Sequence, residues 1–308
     1  MVTVQSISKY DKNHPSVITI GTFDGVHVGH KLILERLIND ARINNRVSAV
    51  LTFFPHPRMV LQKDSDLKLL NTIEEKKKIL EDLGLDYLII QPFTKTFSRL
   101  SATAFVRDLL VNALHAKKVI IGYDHRFGRN RNANIIDLKA FGNALDFEVD
   151  EIPAQEIEAV AVSSTKIRNA LLEGDVATAN TYLGYSYMLN GEIIRGKGLG
   201  KELGFPTANL HIEEAYKLIP KNGVYVVQSR LKNKMVYGMM NIGTNPTVDG
   251  QHQSIEVHFF DFDEDLYHQL IQVNILHWIR EEHKFNSLEE LKKQLKKDKK
   301  TARILITL

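Results

Sequence analysis

The sequence predicts an α/β plus β chain: a doubly wound, Rossmann-like parallel sheet in the first half, then a small antiparallel barrel closed by a terminal helix. Three observations predict it. β-rich and helix-period runs alternate up to about residue 183, the mark of parallel strands joined by crossover helices. Beyond that point short strands, glycines and tight polar turns dominate. The last segment is a single capped helical run.

The elements follow in order. β-rich runs fall at Val17–Ile20, Ser48–Phe54, Tyr87–Ile90 and Val119–Ile121. Between them, His30–Asn44 places Ile33, Leu34, Leu37, Ile38 and Ala41 on one stripe. Thr72–Leu83 starts on a natural N-cap, and Ser101–His115 forms a third helical run. "ALLEGDVATANTYL" reads as helical, and the domain boundary is placed after it, giving domains of 1–185 and 186–308. In the second domain "GVYVVQSRLKNKMVYGMM" reads as two strands around a "KNK" turn, and 254–262 and 268–276 as further strands. Ser287 and Glu290 form a capping box ahead of a Leu288, Leu291, Leu295 stripe. The lysines of 292–300 are read as the solvated face of that helix.

Bulk properties exclude several classes. The 308 residues are 44% hydrophobic and 25% charged, as expected of a globular protein. The chain has 40 Lys and Arg against 37 Asp and Glu, net +3, which gives no reason to expect a nucleic-acid partner. It has no cysteine, which removes disulfides, thiolate nucleophiles and Cys-based zinc sites, and fits a cytoplasmic protein. Neither a signal-peptide core nor a run of the ~18 apolar residues needed for a membrane span is present.

Ligands of doubly wound sheets bind beyond the C-terminal strand ends. Two candidate segments fall there, "GTFDGVHVGH" (21–30) and "GYDHRFG" (122–128). His27 and His30 flank Gly29 where a strand gives way to a helix. Three readings are open on the residues alone. The pair contributes to a zinc site with Asp24, is satisfied locally in a turn, or meets phosphate. The third rests on glycines 21, 25 and 29, which allow close backbone approach, and on a helix N-terminus with unpaired N–H groups. Imidazoles there can donate to phosphate oxygens as charge develops.

In the second domain "GEIIRGKG" (191–198) falls short of a P-loop, because Gly198 has no hydroxyl, and "GKGLGKELG" is not a dinucleotide fingerprint. "GFPTANL" (204–210) carries Thr207 and Asn209, hard oxygen donors of the kind magnesium prefers. On a strand Glu256 and His258 share a face.

Together "GTFDGVHVGH", "TFFPHP" (52–57), "SSTKIR" (163–168), "GFPTANL" and "NIGTNPTVDGQHQSIEVHFFDF" resemble the prokaryotic bifunctional riboflavin kinase/FAD synthetase family over most of the chain. The resemblance implies a nucleotidyltransferase domain followed by a six-stranded riboflavin-kinase-type barrel. It implies phosphorylation of riboflavin by ATP to FMN, then adenylylation of FMN by ATP to FAD and pyrophosphate, with Mg²⁺. Carried onto this chain, His27, His30, Arg168 and Glu256 are catalytic, Glu256 as base for the ribityl hydroxyl. Gly21, Phe23, Asp24, Gly29, Ser164, Thr165, Gly196, Gly198 and Gly200 bind ATP. Asp124, Phe127 and Arg280 bind flavin, and Thr207 and Asn209 hold the metal.

Three positions depart from the family pattern. Phe54 replaces an acidic residue, His125 an aromatic, and Lys201 an arginine; lysine keeps the charge but loses the bidentate fork. The departures at Phe54 and His125 are the support for an alternative, a flavin- or nucleotide-binding regulator with one or both modules inactive.

Overall fold

The computed structural model describes residues 1–308 except 12, 63–64, 124, 154–161, 197–198, 248–249 and 308. The chain forms two compact units, Met1–Ser164 and Thr165–Leu308.

In the first unit six parallel strands are ordered β1-β4-β3-β2-β5-β6. They are β1 (Val2–Val4), β2 (Ser16–Ile20), β3 (Val47–Phe54), β4 (Tyr87–Pro92), β5 (Ala116–Gly122) and β6 (Glu148–Ile152). After β2 the chain winds outward one way to β3 and β4, then returns to place β5 on the other side of β2. The order therefore reverses between β2 and β5, which opens a crevice at their C-terminal ends. Both faces are covered, so β2 is buried at every residue. Val17 packs with Leu34, Leu37 and Ile38 of α1 (Val28–Ile43) on one face. Ile18 and Ile20 pack with Phe105, Val106 and Leu110 on the other.

The strands read from the sequence are present, and α1 begins two residues earlier than expected, at Val28. Thr72 caps α3 (Ile73–Asp82) in a full capping box with Glu75, after the short α2 (Pro57–Leu61). The run after Ser101 is α4 (Ala102–Ala104) followed by a π-helical stretch, Phe105–Ala113. Strands β1 and β6 were not read from the sequence. β1 has only three residues, and β6 is an edge strand whose charged side chains obscure its alternation.

In the second unit, the segment expected as one helical run is two helices, α6 (Ser164–Glu173) and α7 (Val176–Leu183); α5 (Ile135–Leu145) precedes them in the first unit. Gly174 breaks the run at φ +86, and Asp175 caps the second helix.

The barrel is closed and antiparallel, ordered β10-β11-β8-β7-β12-β9. Its strands are β7 (Met188–Ile194), β8 (Ala208–His211), β9 (Gly223–Leu231), β10 (Lys234–Thr247), β11 (Gly250–Phe259) and β12 (Leu270–Glu281). The expected "KNK" hairpin joins β9 to β10, with Lys232 and Asn233 both at positive φ. A short helix α8 (Leu199–Glu202) lies in the glycine-rich loop.

Terminal helix α9 (Leu288–Ile306) packs Leu295, Ala302, Leu305 and Ile306 against Phe205, Val226, Met239 and Phe260. Its cap differs from the expected box. Ser287 accepts from the Glu290 N–H, while the Glu290 carboxylate accepts from the N–H of Asn286. Leu288 is 63% exposed, so the apolar stripe begins later than predicted. Among the described residues no helix is long and apolar enough to cross a membrane.

Candidate active sites

The first site grows from the C-terminal end of β2. Gly21 leads into a turn in which Phe23, Gly25 and Val26 all hold positive φ. A side chain at Gly21 would press on the Phe23 ring at 3.1 Å. Phe23 is buried and meets His30 edge-on, ring centroids 5.0 Å apart. His27 is the N-cap of α1, and its Nδ1 accepts the His30 N–H at 3.3 Å. The proton of a neutral His27 therefore sits on Nε2, leaving that nitrogen a donor. The two imidazoles stack at 3.6 Å, and a Cβ at Gly29 would touch the His27 ring at 3.4 Å. His30 Nδ1 is buried without a hydrogen-bond partner among the described residues.

Asp24 is buried, and its carboxylate accepts from the N–H groups of Leu70 (2.9 Å) and Asn71 (3.5 Å). The Ser164 hydroxyl donates to the Asp24 carbonyl at 2.9 Å, so Ser164 and the "GTFDG" turn do come together. Thr165 is exposed and Arg168 half-buried, both in the opening turns of α6.

Lys76 was not singled out from the sequence. It is buried, and its Nζ donates to the Thr22 carbonyl at 2.7 Å beneath the same turn. The available signal was its spacing: Ile73, Lys76 and Leu80 lie on one stripe of α3, where a lysine needs an explanation.

Electrostatics make this a neutral-histidine site with a buried cation. Burial pulls His27 down to about 4 despite the opposing Asp24 charge. Burial, then the neighbouring His27 and Lys76, hold His30 well below its ordinary value. Burial brings Lys76 down to about 8, with Asp24 resisting. A testable pH dependence follows. The folded His27 value lies below the unfolded one, so its stabilisation is fully present above about pH 6.5 and is lost as pH falls toward 4. The loss is on the order of 3 kcal/mol at most. Thermal unfolding followed from pH 7 to pH 4 should show the melting temperature falling, and falling less in His27→Asn.

Other sequence-predicted residues are less gathered. Phe127 is buried in the core beside Phe105, with His125 stacked on it at 6.2 Å. Phe54 is half-buried and packs against the α1 side of the sheet. Asp124 and Gly198 lie outside the described residues. Among the described residues no cluster of three or more His, Cys, Asp or Glu could hold a metal, so nothing there supports the zinc reading.

The second site lies where β8 meets β11. Glu256 and Asn209 are register partners, and the Thr207 hydroxyl donates to Glu256 Oε2 at 3.1 Å. A donated hydroxyl proton leaves the Thr207 oxygen lone pairs available. Two glycines make room for this group. A Cβ at Gly196 would stand 2.1 Å from Asn209 Nδ2, and one at Gly200 2.4 Å from the Phe205 carbonyl and 3.2 Å from Thr207 Oγ1. The glycine-rich loop thus passes directly over Thr207 and Asn209. Gly196→Ala should fold, because the colliding atoms end a side chain that can swing away. It should displace Asn209 while the barrel stays folded, with circular dichroism checking the fold.

Lys201 is exposed on α8. Arg280 is committed to Asp298 of α9 in a bidentate pair, with contacts at 2.7–3.1 Å, and Gln294 also holds that buried carboxylate. Arg280 thereby ties α9 to β12.

Comparison with known proteins agrees with this division. The FAD synthetase family pattern matches residues 9–166, and the riboflavin kinase family pattern residues 183–306. A protein of Haemophilus influenzae named bifunctional riboflavin kinase/FMN adenylyltransferase is 38% identical over 93% of this chain and 92% of its own length. One of Listeria monocytogenes with the same name is 39% identical over 93% of this chain and 91% of its own. A crystal structure titled a macrolide-efflux protein from Streptococcus pneumoniae has the same fold, with TM-score 0.89 and 31% identity over 98% of each chain. With both family patterns matched and relatives aligned over nearly their full length, this chain belongs to the bifunctional riboflavin kinase/FMN adenylyltransferase family.

Proposed function

We propose that the chain makes FAD from riboflavin in two steps, each at its own centre. In residues 186–308 riboflavin and ATP give FMN and ADP; in residues 1–185 FMN and ATP give FAD and pyrophosphate. The observation that carries the proposal is the Thr207–Glu256 hydrogen bond with Asn209 in register beside it. It joins a carboxylate base to two oxygen donors under a glycine loop.

The donor set at this centre fits Mg²⁺. Thr207 and Asn209 offer neutral oxygens, and a hard cation that binds through few protein ligands leaves its other positions to water and phosphate. Thr207 and Asn209 would hold the ion, which supplies charge neutralisation for the ATP phosphates when bound. Glu256 takes the proton of the ribityl primary hydroxyl as its oxygen attacks the γ-phosphorus and the bond to ADP breaks. The bond from Thr207 fixes Oε2, while Oε1 has no partner among the described residues and faces the task of accepting that proton. Gly196, Gly198 and Gly200 let the loop backbone approach ATP, and Arg280 borders the flavin.

At the other centre the nucleophile is an FMN phosphate oxygen, already anionic, so no base is required. It attacks the α-phosphorus of ATP, and the bond to the β-phosphate breaks to release pyrophosphate. His27 Nε2–H donates to the phosphates, and a phosphate oxygen gives the buried His30 Nδ1 a partner once that nitrogen is protonated. Because both imidazoles are neutral, Lys76 supplies the fixed positive charge. The α1 N-terminus adds backbone donors. Gly21, Phe23, Asp24 and Gly29 shape the ATP cleft. Ser164 meets the ATP phosphates beside the Asp24 turn, and Asp124 and Phe127 meet the flavin. The place of action is the cytoplasm.

The test is a time course with riboflavin, ATP and Mg²⁺, the flavins separated by chromatography. FMN should rise first and FAD follow. Unchanged riboflavin, together with unchanged FMN when FMN is supplied instead, would contradict the proposal and shift the reading to the regulator alternative.

A further inference from the structure

The β8–β11 ladder ends early. Its pairs are Glu256 with Asn209 and Val257 with Ala208, and β8 itself begins at Ala208. Extending the register places His258 opposite Thr207, beyond the last backbone pair. Pro206, one residue further, has no N–H to contribute. The segment that presents Thr207 therefore leaves the sheet one residue before the group it must align.

His258 takes over there. Its Nδ1 lies 2.9 Å from the Pro206 carbonyl oxygen. A carbonyl only accepts, so Nδ1 carries the proton and the tautomer is fixed. The ring is 6% exposed and meets Phe205 and Phe260 edge-on at 5.3 and 5.8 Å, which fixes its plane. Its other nitrogen, Nε2, is buried without a partner among the described residues. A histidine kept only for packing would be better replaced by an apolar ring, because that unpaired nitrogen is costly. The Pro206 bond is what the imidazole uniquely provides. From the other side, Phe205 N–H donates to the Gly200 carbonyl at 2.8 Å, so the Phe205–Thr207 segment is held above and below.

We propose that His258 is a positioning residue of the kinase centre: its Nδ1–H grips the Pro206 carbonyl and so sets Thr207 and Asn209 against Glu256. This rests on the reading of Glu256, Thr207 and Asn209 as that centre. His258 touches no reacting atom; it continues with a side chain the strand pairing that the backbone abandons.

Side-chain geometry supplies the test. An asparagine amide nitrogen falls near the place of a histidine Nδ1, and a glutamine amide nitrogen near Nε2. His258→Asn should keep the Pro206 bond, while His258→Gln and His258→Phe should lose it. The kcat for FMN formation should fall about 10- to 100-fold in the Gln and Phe variants, the scale of a misplaced catalytic group. It should stay within about fivefold of the parent in the Asn variant, the cost of one imperfect hydrogen bond. The KM for riboflavin and FAD formation from supplied FMN should be unchanged in all three. In the parent protein, NMR of labelled histidine ring nitrogens should show His258 neutral with its proton on Nδ1. Equal kcat values for Asn and Gln, or a proton on Nε2, would overturn the proposal, and the Asn–Gln comparison decides even where the Phe variant does not fold. Glu256→Gln is measured alongside. If it retains FMN formation, the reading of the centre has failed; if it is inactive while His258→Gln is fully active, the positioning role alone has failed.

Discussion

Glu256→Ala is expected to lower FMN formation by roughly 10²–10⁴-fold, the usual contribution of a positioned general base, while FAD formation from supplied FMN continues at the parent rate. The large effect follows from the substrate. A primary alcohol is a poor nucleophile at neutral pH and must lose its proton as the phosphoryl group moves. The small effect on the other reaction follows from the folding units, because Glu256 sits in the β8–β11 ladder of a barrel with its own core. Alanine also leaves the Thr207 hydroxyl without its acceptor. Glu256→Gln, which keeps an oxygen there, should fold at least as well and be equally deficient in FMN formation. Flavin chromatography with riboflavin or FMN as starting material measures both rates.

The double variant His27→Ala with His30→Ala is expected to do the reverse. Losing one preorganised donor at developing phosphate charge costs about 10²–10³-fold, so removing both should lower FAD formation by on the order of 10³-fold or more. FMN formation should be unaffected. One structural cost must be separated from the chemical one. His27 caps α1, and losing a cap destabilises by about 1 kcal/mol. His27→Asn separates the two, since asparagine caps well but offers nothing at the Nε2 position. It should melt near the parent temperature and still be deficient in FAD formation.

The parts legible in the sequence were those with local causes. The strand–helix alternation, the Thr72 cap and the "KNK" hairpin depend on neighbours within a few residues, and the structure has them all. What was not legible depends on distant partners. Lys76 reads as one more lysine of "EEKKK" until Thr22, 54 positions away, is found beside its Nζ. Arg280, expected from the resemblance to bind flavin, gives no hint in the sequence of its bidentate pair with Asp298 on α9. Of the readings left open for His27, the structure shows the local one: it caps α1 through Nδ1, and the same bond leaves Nε2 a donor. Glu256 and His258 were rightly placed on one strand face. That face takes its meaning from the segment just before β8, whose Thr207 and Pro206 they hold.

The central claim, two independent centres on one chain, is tested most directly by mixing two inactivated variants. Glu256→Ala alone should leave riboflavin unconverted, and the His27→Ala, His30→Ala variant alone should stop at FMN. Combined with riboflavin, ATP and Mg²⁺, they should carry riboflavin through to FAD. If the mixture of folded variants makes no FAD, the two reactions do not occupy separate centres and the account is wrong.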